Sequence, residues 1–286
     1  PQASDQTIIL STDSEIDAQY YELMKPNIGD EFTLIYNDEL KCSTIEKGYF
    51  KEKFIMYSNY IFDLYGTLID INTDESSNEF WYKLSLFYSF KGAVYIAEEL
   101  KTTYENMVKS KLQSYTNTKY PDTPLEPIFS ELYKIKGITP SINLVNDTAH
   151  FFRTLSIKYI KLYDGVIELL ELLKSKGKNI YLLSNAQRIF TLYEMKMLGI
   201  EKYFDDILFS ADYEICKPDT NFYNTLIEKH NLDINDSIMI GNDYICDIAG
   251  ATNAGLNSLY MHSNLSPEIK GPLTSTYSIM NIDIPK

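Results

Sequence analysis

Four apolar stretches of the sequence are each followed by polar side chains that can do chemistry. The set comprises three carboxylates, a hydroxyl and an ammonium: Asp63, Ser184, Lys217, Asp243 and Asp247. Clustered carboxylates repel one another unless a cation holds them, and hard oxygen ligands suit Mg²⁺. A Mg²⁺ ion with a lysine and a serine forms a clamp for phosphoryl oxygens, and a carboxylate can then attack phosphorus. The residue types therefore predict Mg²⁺-dependent phosphoryl transfer.

The elements that must position these side chains alternate between strand and helix patterns. Short apolar runs typical of buried strands cover residues 60–63, 179–184, 207–210, 237–241 and 258–261. Helical patterns cover residues 165–174, 190–198, 221–229 and 245–254. This alternation predicts a parallel sheet with helices on both faces. In such sheets ligands bind beyond the carboxyl ends of the strands, which is where the polar set would gather.

The patterns divide the chain into three parts. Residues 56–73 and 160–286 form the predicted α/β core, and residues 74–159, with aromatic residues at helical spacing, form a predicted all-helical insertion. Residues 1–55 are predicted to be a short N-terminal extension without a catalytic constellation. Two elements are predicted within it, a helix over Ile16–Met24 and a strand over residues 31–36.

Composition excludes several classes of partner. The 286 residues include 26 Lys and Arg against 40 Asp and Glu, a formal net charge of −14. Such a chain would be repelled by nucleic-acid phosphates and by anionic membranes. No apolar run approaches the roughly 18 residues of a spanning helix, and the polar, acidic start of the chain predicts no secretion signal. The three widely spaced cysteines, Cys42, Cys216 and Cys246, predict neither a disulfide framework nor a zinc site and favour a reducing cytoplasm.

The four motifs together resemble those of the haloacid dehalogenase (HAD) superfamily of hydrolases. They are FDLYGTL at 62–68, SN at 184–185, CKPD at 216–219 and GNDYICD at 241–247, in that superfamily's order. The helical insertion lies between the first and second motifs, where one branch of the superfamily carries a helical cap. The resemblance implies a doubly wound, Rossmann-like core, a Mg²⁺ cofactor and a small phosphorylated metabolite as substrate; it gives no oligomeric state.

The resemblance assigns roles to individual residues. Asp63 matches the nucleophile, Ser184 the hydroxyl that binds the transferring group, and Lys217 the lysine that neutralises its charge. The candidate substrate-binding residues are Tyr65, Thr67, Asn185 and Arg188, of which Arg188 faces either the site entrance or solvent. The candidate metal ligands are Asp63, the main-chain carbonyl of Tyr65, Asp243 and Asp247. Asn242 stands where many members place the first acid, which leaves open whether Asp243 or Asp247 binds the metal directly.

Tyr65 departs from the phosphatase pattern. Phosphatases of the superfamily carry an aspartate two residues after the nucleophile as general acid and base, and a phenol with a pKa of about 10 replaces it poorly. Aspartate-tyrosine-glycine-threonine is instead typical of the superfamily's 2-haloacid dehalogenases. Against that alternative, Asp243 is retained and no arginine occurs between Asp63 and Arg153 to grip a substrate carboxylate. A phosphatase is favoured, a dehalogenase and a catalytically weak interaction protein are the alternatives, and Arg153 is expected in a surface ion pair.

Overall fold

The structure is a computed structural model that describes residues 8–10, 33–37, 42–46 and 57–280. The strands among the N-terminal described residues are β1 (Ile8–Leu10), β2 (Thr33–Asn37) and β3 (Cys42–Glu46). They form an antiparallel sheet in the order β1–β3–β2, and β2 overlaps the strand predicted over residues 31–36. The predicted helix Ile16–Met24 lies outside the described residues.

The remaining strands of the described chain form one large sheet and one strand pair. The strands are β4 (Asn59–Phe62), β5 (Ile69–Thr73), β6 (Ile157–Leu162), β7 (Asn179–Ser184), β8 (Asp206–Phe209), β9 (Ser237–Gly241), β10 (Asn257–Met261) and β11 (Tyr277–Ile279). The large sheet is parallel throughout and has the order β11–β10–β9–β4–β7–β8. The chain therefore winds outward from β4 to one edge and then from β9 to the other, which confirms the doubly wound, Rossmann-like core. The carboxyl ends of β4 and β9 meet at the point where the strand order reverses, the usual ligand position in such sheets.

Helices flank the sheet and fill the segment between β5 and β6. They are α1 (Asn78–Phe90), α2 (Ala97–Ser114), α3 (Glu126–Ile135), α4 (Ile142–Ser156), α5 (Val166–Ser175), α6 (Arg188–Met197), α7 (Ser210–Tyr213), α8 (Thr220–His230) and α9 (Gly250–Asn253), with a π-helical turn at Tyr244–Ala249 before α9. None of the helices in the described part of the chain is long and apolar enough to cross a membrane.

The core sheet is buried on both faces because successive strand residues point to opposite sides. Phe62 of β4 packs in a cluster with Leu170 of α5, whereas its neighbour Ile61 packs in a second cluster with Phe222 of α8. Every residue of β4 and β9 is buried. This two-sided burial explains why the central strands are continuously apolar in sequence.

The insertion between β5 and β6 packs α1 to α4 around a hydrophobic cluster that also includes Ile189 and Phe190 of the core helix α6. The Phe80 and Phe152 rings meet edge-on at a centroid distance of 4.9 Å, and Phe129 lies 5.3 Å from Phe152. Ser77 and Ser141 begin α1 and α4 by accepting hydrogen bonds from main-chain amides with their hydroxyls. The aromatic stripe of the sequence therefore packs this helical insertion, defined from here on as residues 78–156.

The strands β5 and β6 join the helical insertion to the core. They pair antiparallel, and the Asp74 amide donates to the Ser156 carbonyl at 2.8 Å where the pair meets the helices. The sequence patterns did not predict this pair, and residues 157–159, expected in the helical segment, belong to β6. Both ends of the insertion consequently leave the core side by side.

Candidate active site

Asp63 stands at the carboxyl end of β4, where its side chain receives three hydrogen bonds. Its Oδ1 atom accepts from the Lys217 ammonium at 2.8 Å and from the Ser184 hydroxyl at 3.3 Å. Its Oδ2 atom lies 3.3 Å from the Thr67 hydroxyl. The residue is 8% exposed. Ser184 and Lys217, both distant in sequence from Asp63, are thereby brought to one point at the sheet's edge.

Lys217 links this carboxylate to a second one. Its Nζ atom lies 2.6 Å from Oδ1 of Asp247, and its side chain is 1% exposed. Burial disfavours the charged ammonium, but the carboxylates of Asp247 and Asp63 outweigh it and raise the pKa of Lys217 above its usual value. For Asp247, burial raises the pKa to about 7, since the opposing charge of Lys217 compensates only in part and Asp63 adds to the rise. The site therefore holds two buried carboxylates around one ammonium.

Asn185 is exposed, and its side chain holds the main chain of Lys217. Its side-chain oxygen accepts from the Lys217 amide at 2.8 Å, and its Nδ2 atom donates to the Lys217 carbonyl at 3.0 Å. This reciprocal pair imitates a strand–strand contact and fixes the lysine backbone. Asn185 was predicted to bind substrate, and the contact that the structure gives it is a positioning contact.

The loop after Asp63 requires a glycine. Gly66 has a φ of 86°, which a residue with a side chain rarely adopts. A Cβ atom at this position would lie 2.3 Å from Nδ2 of Asn242. The turn thus brings Thr67 back to the nucleophile candidate and to Asn242, whose Oδ1 atom lies 3.3 Å from the Thr67 hydroxyl.

The two acids of the last motif occupy different positions. Asp243 caps the following π-helical turn, because its Oδ1 atom accepts from the amides of Ile245 and Cys246 at 2.8 Å each. Asp247 is 1% exposed and lies in the cluster with Lys217. Its Oδ2 atom also accepts from the Asp243 amide at 2.9 Å. Of the two, Asp247 is the one that the structure brings to Asp63.

The oxygen donors around Lys217 match the type of ligand that Mg²⁺ takes. Within residues 57–280, no group of three or more His, Cys, Asp and Glu side chains is arranged to hold a metal ion. Mg²⁺ needs fewer protein ligands, since it keeps several waters and takes one or two carboxylates with substrate phosphate. Asp63 and Asp247 provide two buried carboxylates against the single charge of Lys217, so a cation would relieve their mutual repulsion. The hard oxygen donors and their excess negative charge fit Mg²⁺.

The Tyr65 phenol is engaged away from the Asp63 cluster, in a network with the helical insertion. It donates to Glu194 of α6, lies 3.0 Å from the Thr191 hydroxyl, and accepts from Nη2 of Arg153 at 3.2 Å. Nε of Arg153 lies 2.5 Å from Oε1 of Glu194. The side chains of Arg153 and Glu194 are 15% and 6% exposed, so the ion pair expected at the surface is largely buried. Sequence reasoning missed Glu194 and Thr191, and only their place on the buried face of an amphipathic helix could have pointed to them.

Arg188, the other candidate substrate contact, is occupied elsewhere. Its Nε atom lies 2.6 Å from Oδ2 of Asp212, and its Nη2 atom donates to the Ile207 carbonyl at 3.2 Å. The guanidinium also covers the Phe209 ring. The sequence left open whether Arg188 faces the site entrance or solvent. These contacts favour the solvent side, beside β8 and α7.

A carboxylate bonded to a buried ammonium lies where the strand order of a doubly wound parallel sheet reverses, so the chain is an α/β protein with an acidic site at the carboxyl end of its sheet. The model of the haloacid dehalogenase-like hydrolases matches residues 60–261. The chain belongs to this family of hydrolases.

Individual relatives agree with this assignment. The chain is 32% identical over 94 residues to the glyceraldehyde 3-phosphate phosphatase of Methanothermobacter thermautotrophicus, covering 33% of this chain and 42% of that protein. It is 34% identical over 97 residues to the phosphoglycolate phosphatase of Agrobacterium fabrum, covering 34% of this chain and 41% of that protein. Each of these two matches spans less than half of the relative. A longer match, 22% identical over 230 residues, covers 79% of this chain and 93% of the HAD-hydrolase YfnB of Bacillus subtilis.

A solved structure supports the fold. The 2-haloacid dehalogenase from Pseudomonas syringae pv. Tomato superposes with a TM-score of 0.53 at 17% identity. The match covers 79% of this chain and 95% of that one. At this identity the likeness concerns the fold alone.

Proposed function

We propose that the protein is a Mg²⁺-dependent phosphatase that acts on a small phosphorylated metabolite through an aspartyl-phosphate on Asp63. The observation that carries the proposal is the position of the Asp63 carboxylate between the Lys217 ammonium at 2.8 Å and the Ser184 hydroxyl at 3.3 Å. Phosphatase names prevail among the curated relatives, which supports phosphoryl transfer over dehalogenation.

In the proposed reaction the Asp63 carboxylate attacks phosphorus, and the bond from phosphorus to the leaving oxygen breaks. Lys217 neutralises charge on the nucleophile and the transferring group, and Ser184 donates a hydrogen bond to the phosphoryl oxygens. These donors are held in a buried site before the substrate arrives, so their charges act with little screening by water. Water then attacks phosphorus, the bond from phosphorus to Asp63 breaks, and inorganic phosphate leaves the free Asp63 carboxylate.

Mg²⁺ would be held by the carboxylates of Asp63 and Asp247 and by the main-chain carbonyl of Tyr65, and Asp243 would support it from the adjoining turn. When bound, the ion supplies positive charge that stabilises the phosphoryl oxygens. Asp247 is preferred to Asp243 as the direct ligand because the Asp243 side chain already caps the next turn.

Tyr65 limits the choice of substrate in this proposal. Burial, and then the Glu194 charge, raise the pKa of the Tyr65 phenol above its usual value, so it stays protonated at neutral pH. The phenol also donates its proton in a hydrogen bond to Glu194. A leaving group that departs without a proton, as in acyl phosphates and anhydrides, suits a site that lacks the usual carboxylic acid at this position. Best turnover on plain sugar phosphates would contradict this preference.

We further propose that the helical insertion serves as a cap that excludes water during phosphoryl transfer. The partner is then a small molecule, since the −14 charge disfavours nucleic acid and anionic membranes. The few, widely spaced cysteines support a cytoplasmic location.

The proposal is tested by hydrolysis of p-nitrophenyl phosphate with and without EDTA. Asp63→Asn should abolish turnover and leave the far-UV circular dichroism unchanged, whereas Asp164→Asn, an exposed aspartate, should keep full activity. Full activity in Asp63→Asn, or turnover that is indifferent to EDTA, would refute the mechanism.

The dehalogenase alternative has one specific observation in its favour, the tyrosine at position 65. Halide leaves without a proton, so that reaction tolerates the missing acid. Release of halide from 2-chloropropionate without metal would establish it. A protein that neither releases halide nor hydrolyses the aryl phosphate would be an interaction module built on the same fold.

A further inference from the structure

A short segment of the helical insertion crosses to the core beside Lys217. This segment, residues 118–123, is called the strap. Pro121 of the strap and Ile215 of the core form an antiparallel bridge. The Cys216 amide donates to the Tyr120 carbonyl at 2.8 Å, and the Asp122 amide donates to the Glu214 carbonyl at 3.2 Å. The bonds use the residues on either side of Pro121, which has no amide hydrogen to donate.

Side chains reinforce this crossing. Oδ2 of Asp122 accepts from the Ser210 hydroxyl at 2.5 Å, and the same hydroxyl accepts from the Ala186 amide at 2.9 Å. Ser210 is completely buried. At the start of the strap, the Thr118 hydroxyl donates to Oδ2 of Asp219 at 2.6 Å. Asp122 therefore connects the insertion to the loop that follows β7 and to the segment that carries Lys217.

The main chain around Lys217 is consequently held from two sides. The strap binds the preceding residue, Cys216, and the Asn185 amide binds Lys217 itself. The Lys217 ammonium must reach two carboxylates, at 2.8 Å and 2.6 Å. A backbone displacement of about 1 Å would break this geometry, and displacements of that size cost about 100-fold in rate.

We propose that the strap positions Lys217 for the reaction, with Asp122 as a positioning residue that acts through Ser210. The proposal rests on the proposed phosphatase function. In it, the helical insertion supplies part of the support of the reactive lysine, in addition to covering the site. If the insertion moves away from the core, the strap no longer holds Cys216, and Lys217 loses that support. Turnover therefore requires that the strap is bound to the core.

The test compares Asp122→Ala, Asp122→Asn, Ser210→Ala and the double variant Asp122→Ala/Ser210→Ala in the full chain. Steady-state hydrolysis of p-nitrophenyl phosphate is measured with Mg²⁺ well below each variant's Tm. Asp122→Ala should lower kcat by about 10- to 100-fold with KM within about two-fold. Asp122→Asn keeps an acceptor oxygen and should retain more activity than Asp122→Ala. The double variant should lose no more than the worse single variant, because both remove one connection.

Tyr115→Phe is the matched control. It removes the hydrogen bonds of the Tyr115 hydroxyl, just before the strap, to Oε1 of Glu214 at 2.6 Å and to the Thr123 hydroxyl at 3.4 Å, and it leaves the Asp122–Ser210 connection intact. Its kcat should stay within about two-fold of the wild type. If Asp122→Ala does not fold, the near-isosteric Asp122→Asn and Ser210→Ala decide the matter.

A lowered Tm with unchanged kcat in the Asp122 and Ser210 variants would overturn the proposal, since the strap would then only stabilise the fold. So would a loss in Tyr115→Phe equal to that in Asp122→Ala. Failure of the underlying function looks different, because the wild type would then not hydrolyse p-nitrophenyl phosphate, or Asp63→Asn would hydrolyse it at the wild-type rate, whatever the strap variants do.

Discussion

The buried ion pair between Arg153 and Glu194 gives a sharp prediction, because the chain contains only two arginines and the other forms an exposed pair. Arg153→Met removes the guanidinium and keeps an apolar side chain between the Tyr65 and Phe190 rings, each 5.6 Å from the guanidinium carbon. The Glu194 side chain is 6% exposed, and after the substitution its remaining hydrogen-bond partner is the neutral Tyr65 phenol.

Removing one partner of a buried pair costs about 3–5 kcal/mol. The Tyr65 phenol still donates to Glu194, so the lower end applies and the free energy of unfolding should fall by about 3 kcal/mol. At about 2–4 °C per kcal/mol for a chain of this size, Tm should fall by about 6–12 °C. Adding Glu194→Gln to Arg153→Met should restore part of the loss, because it removes the unpaired charge.

The assay is thermal and urea unfolding followed by circular dichroism, with Arg188→Met as the control. The side chains of Arg188 and Asp212 are 41% and 28% exposed, so this substitution should cost about 1 kcal/mol or less. Equal losses of unfolding free energy in Arg153→Met and Arg188→Met would refute the reasoning, because burial would then not change how much an ion pair contributes to stability.

Other predictions concern the site loops. Asn185→Asp keeps the oxygen that accepts from the Lys217 amide but loses the Nδ2 group that donates to the Lys217 carbonyl. The main chain of Lys217 is then held less firmly, so kcat should fall about 10-fold with little change in Tm. Gly66→Ala should lower both kcat and Tm because its Cβ would lie 2.3 Å from the Asn242 amide, whereas Gly137→Ala, with φ +78° and open space, should show the backbone cost alone. In EDTA, the Tm of the wild type should fall relative to that of Asp247→Asn as pH rises from about 4 to 7, because burial raises the pKa of Asp247 to about 7 and the folded chain binds the extra proton. A Tm difference between the two proteins that does not change with pH would contradict this prediction.

The central strands could be predicted from sequence because burial on both faces leaves a continuous apolar signature. The runs 179–184 and 237–241 coincide with β7 and β9. The strand pair of β5 and β6 was missed, although Ile69–Thr73 alternates between apolar and polar residues. The two strands pair across the whole helical insertion, and no local pattern indicates a partner that distant.

The same distinction separates the site residues. The cluster of Asp63, Ser184, Lys217 and Asp247 was predictable because parallel strands deliver their following residues to one edge of the sheet. The partners of Tyr65 were not, since Arg153 comes from the insertion and Glu194 from a core helix. Their meeting depends on tertiary packing, and sequence spacing carries no record of it.

The side-by-side exit of both insertion ends has a consequence for how such a protein can diversify. Because β5 and β6 pair and Asp74 bonds Ser156 at their outer end, everything between these two residues forms a loop closed at its base. Replacing that loop by a different helical unit would leave the hydrogen bonds of the central sheet untouched. On the proposed function, substrate choice would then change with the insertion while the acidic cluster at the sheet edge stays the same, provided that each new insertion also supplies a segment to support Lys217.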